Sequence, residues 1–397
     1  MQNTLQVAFG KVKITPEEYT PLQGYDVTTN IANPAQDILD DLYAKILILD
    51  DGVERSVIVS VDCCLANEVP FLAVKPFTDN VGYNFISSTF PEGTKASWGE
   101  AADVAADKVT VHASHTHTAP AYIGQKYTSR IAAEIKEMSS RLRPAVVKVA
   151  SGESVVSVNR RPNLRHNDEL AIDRSLLVVL FETEQGESLG ALVNCAVHPT
   201  LVSNTSARIS AEFVGLAMSE LEERFGDGFV SMFIQGFSGD VGPINQFWAE
   251  TTDTYPKVKE MSRHFCENIL NLLPNVRVIE GVPIRSVHRQ VSLPTKERYY
   301  QPSIEANMHA LMIGDVLLFA TSLESFSGYA EQIRRNSPAR FTLVSGVSNG
   351  YAGYLPTVEA IRDGLGGYEI ETTPYSEEAC EIFGSEASRL INELYQS

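Results

Sequence analysis

Nine short runs, rich in valine, isoleucine, leucine and phenylalanine, constrain this chain more than any other feature. They are Tyr43–Asp50, Arg55–Asp62, Lys108–Ala113, Ala145–Ser151, Ser175–Glu182, Gly190–Val197, Gly228–Gln235, Asp315–Ser322 and Phe341–Gly346. Each has the length and composition of a strand buried on both faces. The first two flank Asp51-Gly52, a hairpin turn signal. Helical patterns fall between and after the runs, over Tyr127–Arg141, Ala211–Phe225, Tyr255–Leu273, Phe326–Asn336 and Ser376–Tyr395. In the first of these, Ile131, Ala132, Ile135, Met138 and Leu142 recur at helical spacing. The stretch Val69–Asp107, broken by Pro70, Pro76 and Pro91, is expected to be mostly irregular with one short helix. Strands that alternate with helices predict an α/β fold, a mixed β-sheet core sandwiched by helices. No internal repeat, low-complexity tract or linker divides residues 1–397, which are read as a single large domain.

Charge and composition remove several function classes. The chain carries 32 Lys and Arg against 50 Asp and Glu, a net charge of −18. Nucleic acid and anionic membranes both demand a basic footprint, so neither is expected as a partner. No stretch approaches the roughly 18 apolar residues of a transmembrane helix. The five cysteines are odd in number and match neither a disulfide framework nor a zinc knuckle. With no basic, apolar leader at the N-terminus, a cytoplasmic protein with reduced thiols is expected. Oligomeric state is not readable from the sequence.

The chemically capable residues follow the strand ends, where sites form in open α/β sheets. His115 and His117 follow Lys108–Ala113, and on an extended segment residues two apart face one way. His112, inside the run, reads as a core histidine. His198 and Pro199 follow Val197, and Glu324 follows Ser322. A small-residue segment, Gly236 to Pro243, follows Gln235, and Tyr351 and Tyr354 follow Gly346. Each has a plainer reading. His198 suits a structural strand-end histidine, and Glu324 a helix N-terminal charge. Gly236–Pro243 suits a simple connection, the tyrosines suit packing, and Arg160-Arg161 suits an exposed pair. Convergence of five such loops on one place favours metal or catalytic chemistry.

In this order the segments Gln23-Gly24-Tyr25, ASHTHTAP, VNRRP, NCAVHPT, FIQGFSGDVGP and NGYAGYLPT resemble the catalytic domain of the neutral/alkaline ceramidases, over essentially the whole chain. The resemblance implies a zinc ion, Zn2+, held by His115, His198, Glu324 and Tyr354. It places His117, Arg160 and Tyr368 around the scissile amide. Two departures stand out. Gly242 occupies the position of the family's serine, and the immunoglobulin-like C-terminal domain of true ceramidases is not expected here.

The implied activity is hydrolysis of an N-acyl amide, ceramide-like or smaller, by metal-activated water. His117 would serve the leaving amine, and Arg160 and Tyr368 the oxyanion. A zinc esterase or lactonase on the same site, and a ceramidase-like binding protein without catalysis, are the alternatives. The partner in either enzymatic case is a small-molecule or lipid substrate.

Overall fold

The computed structural model describes residues 4–76, 82–161, 167–204, 206–244 and 253–396. Pro162 of the Asn-Arg-Arg-Pro segment lies outside them.

Three main sheets share one topology. In the first, Gln6–Lys13, Tyr43–Asp50 and Arg55–Val61 run antiparallel, and a crossover brings Val109–Ala113 parallel to the third strand. In the second, Val146–Glu153, Ser175–Glu182 and Ser188–Cys195 form the same antiparallel series, joined in parallel by Val230–Gln235. In the third the strands are Ile284–Pro294, Ser303–Ile313 and Val316–Thr321, with Phe341–Ser345 parallel to the last. The sequence shows no repeat, yet the strand order and directions recur three times. Two-residue edge strands, Arg143–Pro144 and Arg277–Val278, extend the first and second sheets.

Period-2 alternation explains the layering. Leu47, Leu49 and Ile58 of the first sheet meet Leu177, Val179 and Phe181 of the second and Leu311, Leu318 and Leu343 of the third in one central core. The opposite faces are covered by helices. Ile46, Ile48, Val57 and Val59 pack beneath Gln125–Met138, through Ile131 and Ile135. Leu176, Val178 and Val193 pack beneath Glu212–Phe225 and Tyr255–Leu272. Leu317 and Phe319 pack beneath Gly328–Asn336 and Glu377–Gln396. Burying each such aliphatic side chain contributes roughly 1.5–3 kcal/mol. The expected α/β architecture of mixed sheets between helices is therefore the one observed.

Buried polar side chains tie the sheets to one another just below the strand ends. Ser60 donates to the Phe233 carbonyl at 2.6 Å, joining the first sheet to the second. Asn194 donates to the carbonyls of Ile234 (2.8 Å) and Val344 (2.9 Å), joining the second to the third. His112 Nδ1 meets the hydroxyls of Ser345 (2.9 Å) and Ser348 (3.0 Å), joining the first to the third. His112 is thus a core histidine, as its place inside the strand predicts.

Three differences from the sequence reading have local causes. Gln6–Lys13 is a strand although Gly10, Lys11 and Lys13 break its apolar run. Ile284–Pro294 is a strand whose polar residues fall on both faces and are mostly part-buried or exposed. The stretch Val69–Asp107 holds the helix Thr94–Ala101, as expected, and also a hairpin of Phe71–Val74 with Tyr83–Ile86. Among the described residues, no helix is long and apolar enough to cross a membrane.

Candidate metal centre and its cavity

Each sheet delivers one side chain to a single point. His115 follows the fourth strand of the first sheet, His198 the third strand of the second, and Glu324 the third strand of the third. His115 Nε2 lies 3.1 Å from His198 Nε2 and 3.2 Å from Glu324 Oε2, and His198 Nε2 lies 3.4 Å from that oxygen. All three residues are buried.

The surroundings fix the direction of each donor atom. His115 Nδ1 is 2.7 Å from the Cys64 carbonyl, and His198 Nδ1 is 3.1 Å from the Val241 carbonyl. A carbonyl only accepts, so each Nδ1 carries the hydrogen and each Nε2 presents a lone pair. Tyr351 donates its hydroxyl to Glu324 Oε1 at 2.8 Å, leaving Oε2 toward the histidines. Electrostatics act on the two rings in opposite directions, and the Nε2 lone pair assigned above is that of the neutral ring. Burial opposes charging of His115, yet the Glu324 carboxylate and the Cys64 thiol draw its pKa well above the usual value. Burial, with Arg160 nearby, pushes His198 down to about 3.

Two imidazole nitrogens and a carboxylate oxygen could together hold a metal ion, and zinc is among the metals that take such donors. Zinc–ligand bonds of about 2.0–2.2 Å set tetrahedral ligand separations of roughly 3.3–3.6 Å. Of the three observed separations, 3.4 Å falls within that spacing and 3.1 and 3.2 Å lie just below it.

The His-Thr-His segment does not reach this point as an extended strand. His115 has φ of 70°, a left-handed conformation costly for a residue with a Cβ. Its amide, donating to the Cys63 carbonyl at 2.9 Å, and that of Ser114, donating to Val61 at 2.9 Å, hold the bend. The rings of His115 and His117 therefore stand nearly perpendicular, at 88°, with centroids 5.1 Å apart. His115 is the nearer of the two to His198, with ring centroids 4.6 Å apart against 5.9 Å for His117.

His117 instead lines a cavity of about 300 Å³ with Gln23, Gly24, Tyr25, Cys64, Leu65, Ile86, His115, Arg160, Asn204, Glu324, Tyr351, Tyr354 and Tyr368. Every residue expected at the site except His198 lines it, and His198 is fully buried with its Nε2 3.1 Å from that of His115. Tyr354 pairs its backbone with Glu324, and its ring stands 6.0 Å from that of Tyr368. The Glu324 carboxylate is not a helix cap. The helix that follows starts at Gly328, and Asp240 accepts from the Ser327 amide at 2.7 Å and from its hydroxyl at 3.1 Å. The small residues before Asp240 serve close approach. A Cβ on Gly239 would lie 2.7 Å from the Glu324 carbonyl.

The adjacent arginines are not an exposed pair, because both are buried. Arg160 Nε lies 3.0 Å from Glu369 Oε1, facing the cavity beside Tyr368. Arg161 grips the loop before Tyr368, through Asp363 (3.0 and 3.2 Å) and the carbonyls of Ala360 and Gly366 (both 3.1 Å). Sequence reasoning named Tyr351 only as one of two tyrosines in its loop and assigned no role to Cys64, Arg161 or Glu369. The spacing of Tyr351 from Glu324 carries no periodic signal, and a buried arginine fork is invisible without its acceptors.

No family model matches the sequence. The fold, however, is shared with solved structures. A neutral ceramidase from Pseudomonas aeruginosa superposes with a TM-score of 0.78 at 16% identity, over 100% of this chain and 75% of that one. A ceramidase complexed with C2 superposes with a TM-score of 0.77, also at 16% identity, over 99% of this chain and 75% of that one. The chain therefore has a neutral ceramidase-like fold.

Proposed function

We propose that this chain is a zinc-dependent hydrolase of N-acyl amides. The reading is carried by the convergence of His115 Nε2, His198 Nε2 and Glu324 Oε2, one from each sheet, within 3.4 Å of one another. Tyr354, on the strand paired with Glu324, is the proposed fourth ligand. A zinc ion held there supplies a Lewis acid and a water acidified to a pKa of about 7.

The chain's own groups do the rest. His117 lines the cavity, and neither ring nitrogen has a hydrogen-bond partner among the described residues, so it is available to pass a proton to the leaving nitrogen. Arg160 and Tyr368, which line the same cavity, would donate to the acyl oxygen as it gains charge. One such donor is typically worth about 3 kcal/mol. Glu369 orients the Arg160 guanidinium for that task. The cavity sits at the lower end of the usual range for ligand sites, roughly 300–1,000 Å³. It suits the reacting amide and its immediate substituents, and a ceramide-like or smaller N-acyl substrate is proposed on that basis.

The test is metal analysis of the purified protein together with a matched amide and ester pair. One zinc per chain and faster turnover of the amide are expected, and His115→Ala should lose both metal and hydrolysis. A His115→Ala protein that hydrolyses at the full rate would overturn the reading. Preference for the ester would assign the site to an esterase or lactonase.

A further inference from the structure

We propose that Cys64 and His117 form a second metal-binding pair beside the first centre, which takes a thiophilic divalent cation, excess zinc or cadmium, and blocks hydrolysis when filled. One donor atom from each of Cys64, His115 and His117 lies within 4.8 Å of the others. His115 is already committed, through Nε2 to the first centre and through Nδ1 to the Cys64 carbonyl. The sulfur of Cys64, 3.8 Å from that Nδ1, and the ring of His117 remain.

Three observations make this pair more than a stray thiol. His117 is 9% exposed, and both its ring nitrogens lack a hydrogen-bond partner among the described residues, an expensive arrangement for a buried imidazole. Its ring is held in place from behind. A Cβ on Gly24 would stand 2.4 Å from His117 Cγ, and the Tyr25 ring packs edge-on at 5.1 Å. Cys64 and His117 both line the cavity, so a hydrated cation reaches them by the route the substrate takes and keeps waters as its remaining ligands. A thiolate with an imidazole selects zinc and softer ions over magnesium or calcium. Two protein donors bind more weakly than the set at the first centre, so this pair fills second.

Inhibition follows from which atom is taken. A cation on His117 removes the nitrogen that passes the proton, and it stands where the leaving group must lie. That consequence rests on the role proposed for His117. The binding itself does not.

The experiment titrates the zinc-loaded protein with cadmium chloride. It follows the ultraviolet thiolate-to-cadmium charge-transfer band and, in parallel, amide hydrolysis. One equivalent should develop the band, with inhibition rising in step. Cys64→Ser should lose the band and require at least about tenfold more cadmium for half-inhibition of its own rate, and His117→Gln should weaken the band's half-point by a similar factor. Cys63→Ser is the control, since Cys63 is buried with its thiol on the Leu65 carbonyl and does not line the cavity. It should keep the band. A wild type without the band, or a Cys64→Ser protein inhibited at unchanged cadmium, would overturn the proposal. His198→Ala separates the two sites. It should lose the first metal and keep the band, so failure of the first centre is read from the zinc content and failure of the second from the absorbance.

Discussion

Tyr351 donates its hydroxyl to Oε1 of Glu324 at 2.8 Å, and in doing so it turns Oε2 toward the two histidine nitrogens. Its ring is braced edge-on by Phe71 at 5.2 Å. An outer hydrogen bond of this kind sets the orientation of a metal-binding carboxylate, and its loss typically costs 10- to 100-fold in metal affinity. Tyr351→Phe should therefore retain the fold but release zinc to a competing chelator at about 10- to 100-fold lower chelator strength. Zinc retention equal to wild type under the same competition would show that Glu324 is held by something else.

Gly24 has φ of 111° and touches the His117 ring so closely that a methyl group has no room. Gly24→Ala must move the ring, the backbone or both, since an alanine also disfavours that φ. His117 is proposed to act on the substrate rather than on the metal, so the effect should fall on turnover alone. A misplacement near 1 Å commonly costs about 100-fold. We expect kcat to fall by about that factor with zinc content unchanged. A variant that loses zinc as well would place His117 in the metal set instead.

How much of this was legible in the sequence depends on range. The strand ends were readable because each buried strand is a continuous apolar run, and because His115, His198 and Glu324 stand just past such runs. The assignment of strands to three separate sheets was not. Leu47 and Ile48 differ only in which face they occupy, and two apolar faces look alike in a one-dimensional pattern. The long pair Ile284–Pro294 and Ser303–Ile313 was missed because the consecutive polar residues His288, Arg289 and Gln290 put polar side chains on both faces and break its apolar alternation. Arg160 was singled out, whereas Arg161 was not. What separates them is the partner, Glu369 in one case and the Ala360–Gly366 loop in the other, and both partners lie more than 190 residues away.

Two buried acids predict an unusual pH dependence of stability. Glu212, at φ of 60°, accepts from the Val202 amide at 2.6 Å and the Phe213 amide at 3.3 Å, and burial pushes its pKa up to about 7 against those bonds. Asp40, bonded to Ser210 and Ala211, is pushed by burial to about 6. Between its ordinary value near 4.5 and 7, Glu212 holds a proton in the folded state that the unfolded chain has released. The folded state then binds more protons, so stability falls as pH rises through this window, at up to about 1.4 kcal/mol per pH unit per group. Buried histidines slope the other way below about pH 6.5, as with His112, which burial lowers to about 3, so the Glu212 contribution is read as the difference between wild type and Glu212→Gln. The stability of wild type relative to Glu212→Gln, which cannot ionise, should decline between about pH 5 and 7. A difference in melting temperature between the two proteins that stays constant from about pH 5 to 7 would contradict the assignment.

Arg161 holds the segment from Ala360 to Gly366, and Tyr368 follows two residues later. Its planar fork meets both oxygens of Asp363 while also donating to two carbonyls, a pattern a lysine cannot reproduce. The guanidinium also lies over the Phe326 ring, 5.4 Å from its centroid. Arg161→Lys keeps the charge and loses the geometry. Because Arg161 does not line the cavity, its effect should reach the reaction only through Tyr368. The expected result is a lower kcat with KM and zinc content little changed, and Tyr368→Phe introduced into the same background should add almost nothing further. Full additivity of the two substitutions would mean that the loop is held independently of Arg161.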